Sequence, residues 1–186
     1  MWWYLFRYYF NPSVLVAGTL IFLVVLVMLR RRGFNWPYLI FLWLFWLYSI
    51  VLVSMVVFSG IHFRPVTWED RLAMVPAVLA RVNLIPFSYG AGVPAYYANA
   101  STLLNLVMTI PLGFGLNFLT TTRIKRMALI ALLVGLGFEL AQLVLTLYAA
   151  SPTRGIDITD VLLNGAGVLL GYGLFILFAW LYVTII

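Results

Sequence analysis

The 186-residue chain contains no cysteine, a single histidine and only five acidic residues. The first absence removes disulfides, thiolate metal sites and cysteine nucleophiles. The second leaves no Ser–His–Asp arrangement, because His62 stands in a loop beside Arg64 with no identifiable nucleophile to serve. Phosphate and dinucleotide fingerprints are missing too, since Gly165-Ala166-Gly167 follows no strand and opens no cradle. Charge is scarce throughout. Charged residues make up 9% of the chain, against 65% hydrophobic and 17% aromatic, and the mean hydropathy is +1.09. A soluble domain is usually about 45–50% apolar, so this chain has too little polar surface to coat a soluble globule.

What is present is a series of apolar runs long enough to cross roughly 30 Å of hydrocarbon. They predict spans over about Val14–Leu29, Tyr38–Phe58, Ser101–Leu119, Met127–Tyr148 and Ile158–Ile186. The expected fold class is therefore all-α, a polytopic transmembrane helical bundle of about five spans forming one domain over residues 1–186. Arg30, Arg31 and Arg32 follow the first apolar stretch instead of preceding it, so a cleavable signal peptide is not expected. The same arginines fill the turn after span one, and Arg123, Lys125 and Arg126 fill the turn after span three. Basic turns face the cytoplasm, which predicts the N-terminus outside and the C-terminus inside. Around Arg7, the residues Trp2, Trp3, Tyr4, Tyr8 and Tyr9 have the composition of an interfacial aromatic belt.

The one long connection, Ser59 to Ala100, falls on the outer side in this orientation. Thr67 followed by Asp70 matches a capping box, and Trp68, Leu72, Val75, Leu79 and Val82 recur near helical spacing. A short interfacial helix bent at Pro76 is expected there, ended by Asn83-Leu84-Ile85-Pro86-Phe87 and followed by an irregular loop from Ser88 to Asn99.

Three of the five acidic residues, Glu139, Asp157 and Asp160, stand in or beside the last two spans. A charge at the centre of a membrane helix costs roughly 2.5–3.5 kcal/mol on insertion scales, which makes it a candidate functional or pairing site. Gly135, Glu139, Gln142 and Thr146 share one helix face. Asp157, Asp160, Asn164, Gly167 and Gly171 share another. Two such faces avoid lipid by meeting, and their glycines permit close approach. Asn105 and the Pro111-Leu112-Gly113 break mark span three as a third contributor. Glu139 lies nine residues before the outer end of its span, roughly 14 Å at 1.5 Å per residue. Arg154, in the turn between the last two spans, is the cation expected beside Asp157 or Asp160.

Asn83-Leu84-Ile85-Pro86-Phe87, Asn105 with Pro111-Leu112-Gly113-Phe114, Glu139-Leu140-Ala141-Gln142, and Arg154-Gly155-Ile156-Asp157-Ile158-Thr159-Asp160 with Asn164 and Gly167 together resemble the signature blocks of the VanZ-like family. The resemblance covers about Val53 to Gly173. It implies a small integral protein of the bacterial cytoplasmic membrane, associated in the family's named member with reduced susceptibility to the glycopeptide teicoplanin.

A ligand-binding set of Glu139, Gln142, Arg154, Asp157, Asp160, Asn164, Asn105 and Asn83 is expected in the outer half of the membrane. Its ligand would be an amphiphile: a lipid headgroup, a lipid-linked cell-wall precursor or a glycopeptide. The alternatives are an accessory or assembly subunit whose polar stripes are internal packing contacts, and a metal-dependent enzyme acting on a lipid phosphate through the carboxylates. Proton or ion translocation through Glu139, Asp157 and Asp160 finds no broken-helix repeat to support it. Membrane lipids and other membrane proteins are the expected partners, with no nucleic acid, no cofactor and no resident metal.

Overall fold

Backbone N–H and C=O groups in hydrocarbon must be satisfied within their own segment, so apolar runs of this length become helices. The computed structural model is all-helical and describes residues 12–58, 61, 63, 65–88, 95–151 and 154–185; side chains are described for these except residues 12–15 and 95–102. The aromatic stretch Trp2–Tyr9, His62, Arg64 and residues 89–94 lie outside the described residues.

Among the described residues six helices follow one another: α1 (Pro12–Arg31), α2 (Trp36–Val56), α3 (Trp68–Leu79), α4 (Ala95–Thr120), α5 (Ile124–Tyr148) and α6 (Ile158–Ile185). Among the described residues, four are long and apolar enough to cross a membrane, in α2, α4, α5 and α6. The 20-residue α1 makes a fifth helix of comparable length, in keeping with the count of about five. The chain is thus a multi-pass membrane protein.

It divides into two compact units, Met1–Ser59 and Gly60–Ile186. In the first, α1 packs on α2, with Gly18 against Ile50 and the rings of Phe22 and Trp46 stacked 4.8 Å apart. Asn35 caps α2 by accepting from the Tyr38 N–H at 3.1 Å.

The second unit is organised around α6, which packs most extensively against α4 and next against α5. Contacts fix the directions. Asn105 meets Asp160, Gly167 abuts the Leu106 carbonyl, Gly171 abuts the Ile110 carbonyl and Phe114 meets Phe175, so α4 and α6 run parallel. Gly135 abuts Val161 and Gly165 abuts Ala131, so α5 runs antiparallel to α6. A side chain on Gly113, Gly135, Gly167 or Gly171 would collide with the neighbouring helix, which is the small-residue packing expected where no hydrophobic effect drives helices together. Met127, Ala131 and Val168 form the core of the unit, while Phe114 meets Phe175 and Phe178 edge to face at 5.4 and 5.9 Å farther along α4 and α6.

Two sequence expectations change. The helix carrying the third span begins earlier, since α4 starts at Ala95 inside the stretch expected to be irregular, while its membrane-crossing part runs from Leu103 to Thr120. It also continues through Pro111-Leu112-Gly113, which is not a break. Proline there removes one intrahelical donor, but the close backbone contact of Gly113 with α6 keeps the helix on course. The capping box is present: Thr67 Oγ1 accepts from the Asp70 N–H at 3.1 Å, and Asp70 Oδ2 accepts from the Thr67 N–H at 3.0 Å. Helix α3 packs on α5, with Val78 buried and the Arg71 guanidinium 4.1 Å from the centre of the Tyr148 ring.

Candidate functional site

The site forms where the chain enters α6. A carboxylate placed just before a helix can satisfy its first N–H groups, and Asp157 does so, Oδ1 accepting from the Thr159 N–H at 2.8 Å. The segment after α3 lies alongside it. Asn83 pairs with Asp157 in a single parallel bridge: its N–H donates to the Ile156 carbonyl at 2.8 Å and its carbonyl accepts from the Ile158 N–H at 3.0 Å. Gly155 permits this approach, because a side chain there would strike the Arg81 carbonyl. The Asn83 amide closes the corner by donating to Asp157 Oδ2 at 3.2 Å and to the Ser88 carbonyl at 2.7 Å. One residue short of that carbonyl, Phe87 takes a left-handed φ of 60° and donates its N–H to Thr159 Oγ1 at 2.9 Å.

Helix α5 brings Glu139 beneath this corner, where Oε2 accepts the Asp157 N–H at 2.8 Å. Helix α4 supplies Asn105, whose amide donates to Asp160 Oδ1. Three helices and the 83–88 segment therefore converge on two turns of chain. Arg154 is half-buried in the turn before α6, near enough for its charge to act on both Glu139 and Asp160. Gln142 is buried one turn beyond Glu139, and Asn164 one turn beyond Asp160. All eight expected residues thus lie along the α4–α5–α6 contact and the turn above it. Glu139, Asp157, Asp160, Asn83 and Asn105 are joined through hydrogen bonds, either directly or through the start of α6.

Burial separates two tiers. Asn83, Asn105, Asp157 and Asp160 are half-buried, whereas Glu139 is 1% and Asn164 0% exposed. Glu139 Oε1, both amide atoms of Asn164 and the Thr146 hydroxyl have no hydrogen-bond partner among the described residues. Leaving a buried polar group unpaired costs about 1–3 kcal/mol, more for a charged one. The lower tier therefore presents unmet capacity for a donor at Glu139 and for both a donor and an acceptor at Asn164.

The carboxylates are engaged one by one, Glu139 on a backbone N–H, Asp157 on a helix start and Asp160 on an amide. Among the described residues no group of three such side chains is arranged to hold a metal ion. Thr159 and Thr109 were not among the expected site residues, because a hydroxyl in an apolar helix is ordinarily silent. Thr159 is buried and holds Phe87, and Thr109 packs beside Gly167 while bonding back to the Asn105 carbonyl at 3.0 Å. Among the described residues, cavities of about 420 and 320 Å³ lie in the first unit between α1 and α2 and are lined by none of these side chains.

Parallel α4 and α6, an antiparallel α5 and a polar cluster at the start of α6 define a multi-pass helical membrane protein with a buried carboxylate centre. The VanZ/LLP1 family model matches residues 45–179, and the chain belongs to that family. No curated protein and no solved structure matches the chain.

Proposed function

We propose that the protein is an envelope protein of the bacterial cytoplasmic membrane that binds the polar end of an amphiphile at the start of α6, in the outer half of the bilayer. The observation that carries this is Glu139, a carboxylate 1% exposed with one oxygen unpartnered. An intramembrane ionisable group is by default functional, and a group serving packing alone would be expected to have both oxygens satisfied. A hydroxyl-bearing headgroup suits the centre: its O–H donates to Glu139 Oε1, and a second hydroxyl meets both needs of the Asn164 amide. The half-buried upper tier of Asn83, Asn105, Asp157 and Asp160 is the route in, with Arg154 as the charge that accepts a phosphate or carboxylate. Lipid headgroups, lipid-linked cell-wall precursors and glycopeptides all carry such hydroxyls.

The orientation rests on the basic turns at Arg30–Arg32 and Arg123–Arg126, which put the α5–α6 turn outside. The exposed apolar side chains Trp68, Leu72, Leu84, Ile85 and Phe87 then rest in the outer interface around the site.

The test is purification in native lipid with identification of what co-purifies. Glu139→Gln and Arg154→Ala should reach the membrane in normal amounts and lose a lipid that the unaltered chain retains. Normal amounts with unchanged lipid would refute ligand binding. Loss of the protein itself would assign the cluster to packing, as in the accessory-subunit alternative.

A further inference from the structure

The first unit contains a feature that the carboxylate centre does not use. The 420 Å³ cavity runs between α1 and α2, lined by Leu23, Val27, Leu39 and Trp43, with Arg30 and Arg31 toward the turn. Its volume of about 420 Å³ falls within the range of small-molecule sites, roughly 300–1,000 Å³. Helix α1 is 20 residues long, about 30 Å at 1.5 Å per residue, which matches the hydrocarbon thickness and sets both guanidinium groups at headgroup depth.

Arg30 is positioned in advance. Its Nη1 donates to the Phe34 carbonyl at 3.1 Å, and its guanidinium lies 5.1 Å from the centre of the Trp36 ring. The turn itself is fixed by Gly33 at a φ of 89° and by the Asn35 cap of α2. One N–H is used on Phe34, which leaves further donors on a planar group whose placement costs nothing more when a ligand arrives. Arg31, the next residue, doubles the positive charge at the same end of the groove. A phosphate whose headgroup bears no compensating ammonium complements this pair, and a hydrocarbon chain complements the walls.

We propose that the groove is a binding site for an anionic phospholipid of the surrounding membrane, with its phosphate on Arg30 and Arg31 and one acyl chain along Leu23, Val27 and Trp43. The site is independent of the ligand at α6 and of which leaflet the turn faces.

The experiment uses the full chain, equilibrated with mixed vesicles of phosphatidylglycerol and phosphatidylethanolamine, with the retained lipids counted by native mass spectrometry. Unaltered protein should be enriched in phosphatidylglycerol. Each basic residue at an anionic surface is worth roughly fivefold in affinity, so R30Q/R31Q should lower the enrichment roughly tenfold or more. The equal charge change K125Q/R126Q, at residues outside the groove lining, keeps the paired arginines and should cost several-fold less than R30Q/R31Q. Val27→Trp, which fills the groove while keeping both arginines, should also lower it. R30K/R31K keeps the charge without the planar fork and should show a partial loss. No loss in R30Q/R31Q, an equal loss in K125Q/R126Q, or full enrichment in R30K/R31K would each overturn the site, the last two by reducing it to general attraction between charges.

Discussion

Replacing Gly171 by alanine adds one methyl group where α6 crosses α4. That methyl would collide with the Ile110 carbonyl oxygen and stand 2.8 Å from the Phe114 nitrogen and 2.9 Å from the Ile110 carbonyl carbon. Carbon atoms pack at about 3.5–4.0 Å, so the helices must part by roughly 1 Å, and a gap of that size forfeits a quarter to a half of each contact's attraction. The neighbours are backbone atoms that cannot rotate away. Overpacking of this kind costs about 1–3 kcal/mol, and the upper end applies to Gly171→Ala and to Gly113→Ala, whose methyl would strike the Val168 backbone. Two other glycines serve as controls on the same unit. Gly137 on α5 and Gly173 on α6 have nothing within 4 Å of such a methyl, so alanine there should be neutral or stabilising by up to about 1 kcal/mol through helix propensity. Unfolding free energies in mixed micelles provide the assay. Equal stability of Gly171→Ala and Gly173→Ala would refute the parallel α4–α6 register and the convergence of Asn105 on Asp160 with it.

Asn105→Ala removes the amide donor to Asp160 and should destabilise by about 0.6–1.7 kcal/mol, the mean and the maximum found for interhelical hydrogen bonds in membranes, read by the same unfolding assay; no change would mean that the pair contributes nothing. Thr159→Val keeps the shape but deletes the acceptor for the Phe87 N–H, so hydrogen exchange at Phe87 should accelerate by roughly tenfold for a bond worth about 1 kcal/mol or slightly more, while exchange in the middle of α6 stays as it was. The chain has no cysteine, so single cysteines report orientation directly: Ser151→Cys should react with an impermeant maleimide in intact cells, and Lys125→Cys only after lysis. The reverse pattern would invert the topology.

Much of this architecture was legible from the residues. Composition forced the spans, and periodicity placed Glu139, Asp157, Asp160 and Asn164 on facing stripes, because a polar side chain in hydrocarbon must find a partner on a neighbouring helix. A carboxylate just ahead of an apolar run suits the start of a helix, and Asp157 serves the start of α6. The counterpart of Glu139 was not legible. Its Oε2 accepts the Asp157 backbone N–H, and a backbone donor has no sequence signature. Asn83 meets Asp157 across 74 positions through one isolated bridge, too short to produce any alternation of side chains. Pro111-Leu112-Gly113 was misread for a related reason. Local propensity points to a break, whereas the close backbone contact of Gly113 with α6 sustains the helix.

The state of Glu139 in the presence of lipid is the most direct measurement. Infrared difference spectra of the purified chain, with and without bacterial polar lipid extract, should contain a carboxyl band that shifts on lipid addition and is missing in Glu139→Gln. A ligand donating to Oε1 predicts that shift; a Glu139 band unmoved by any lipid fraction, in protein shown to be folded, would contradict it and leave the carboxylate as a packing element alone.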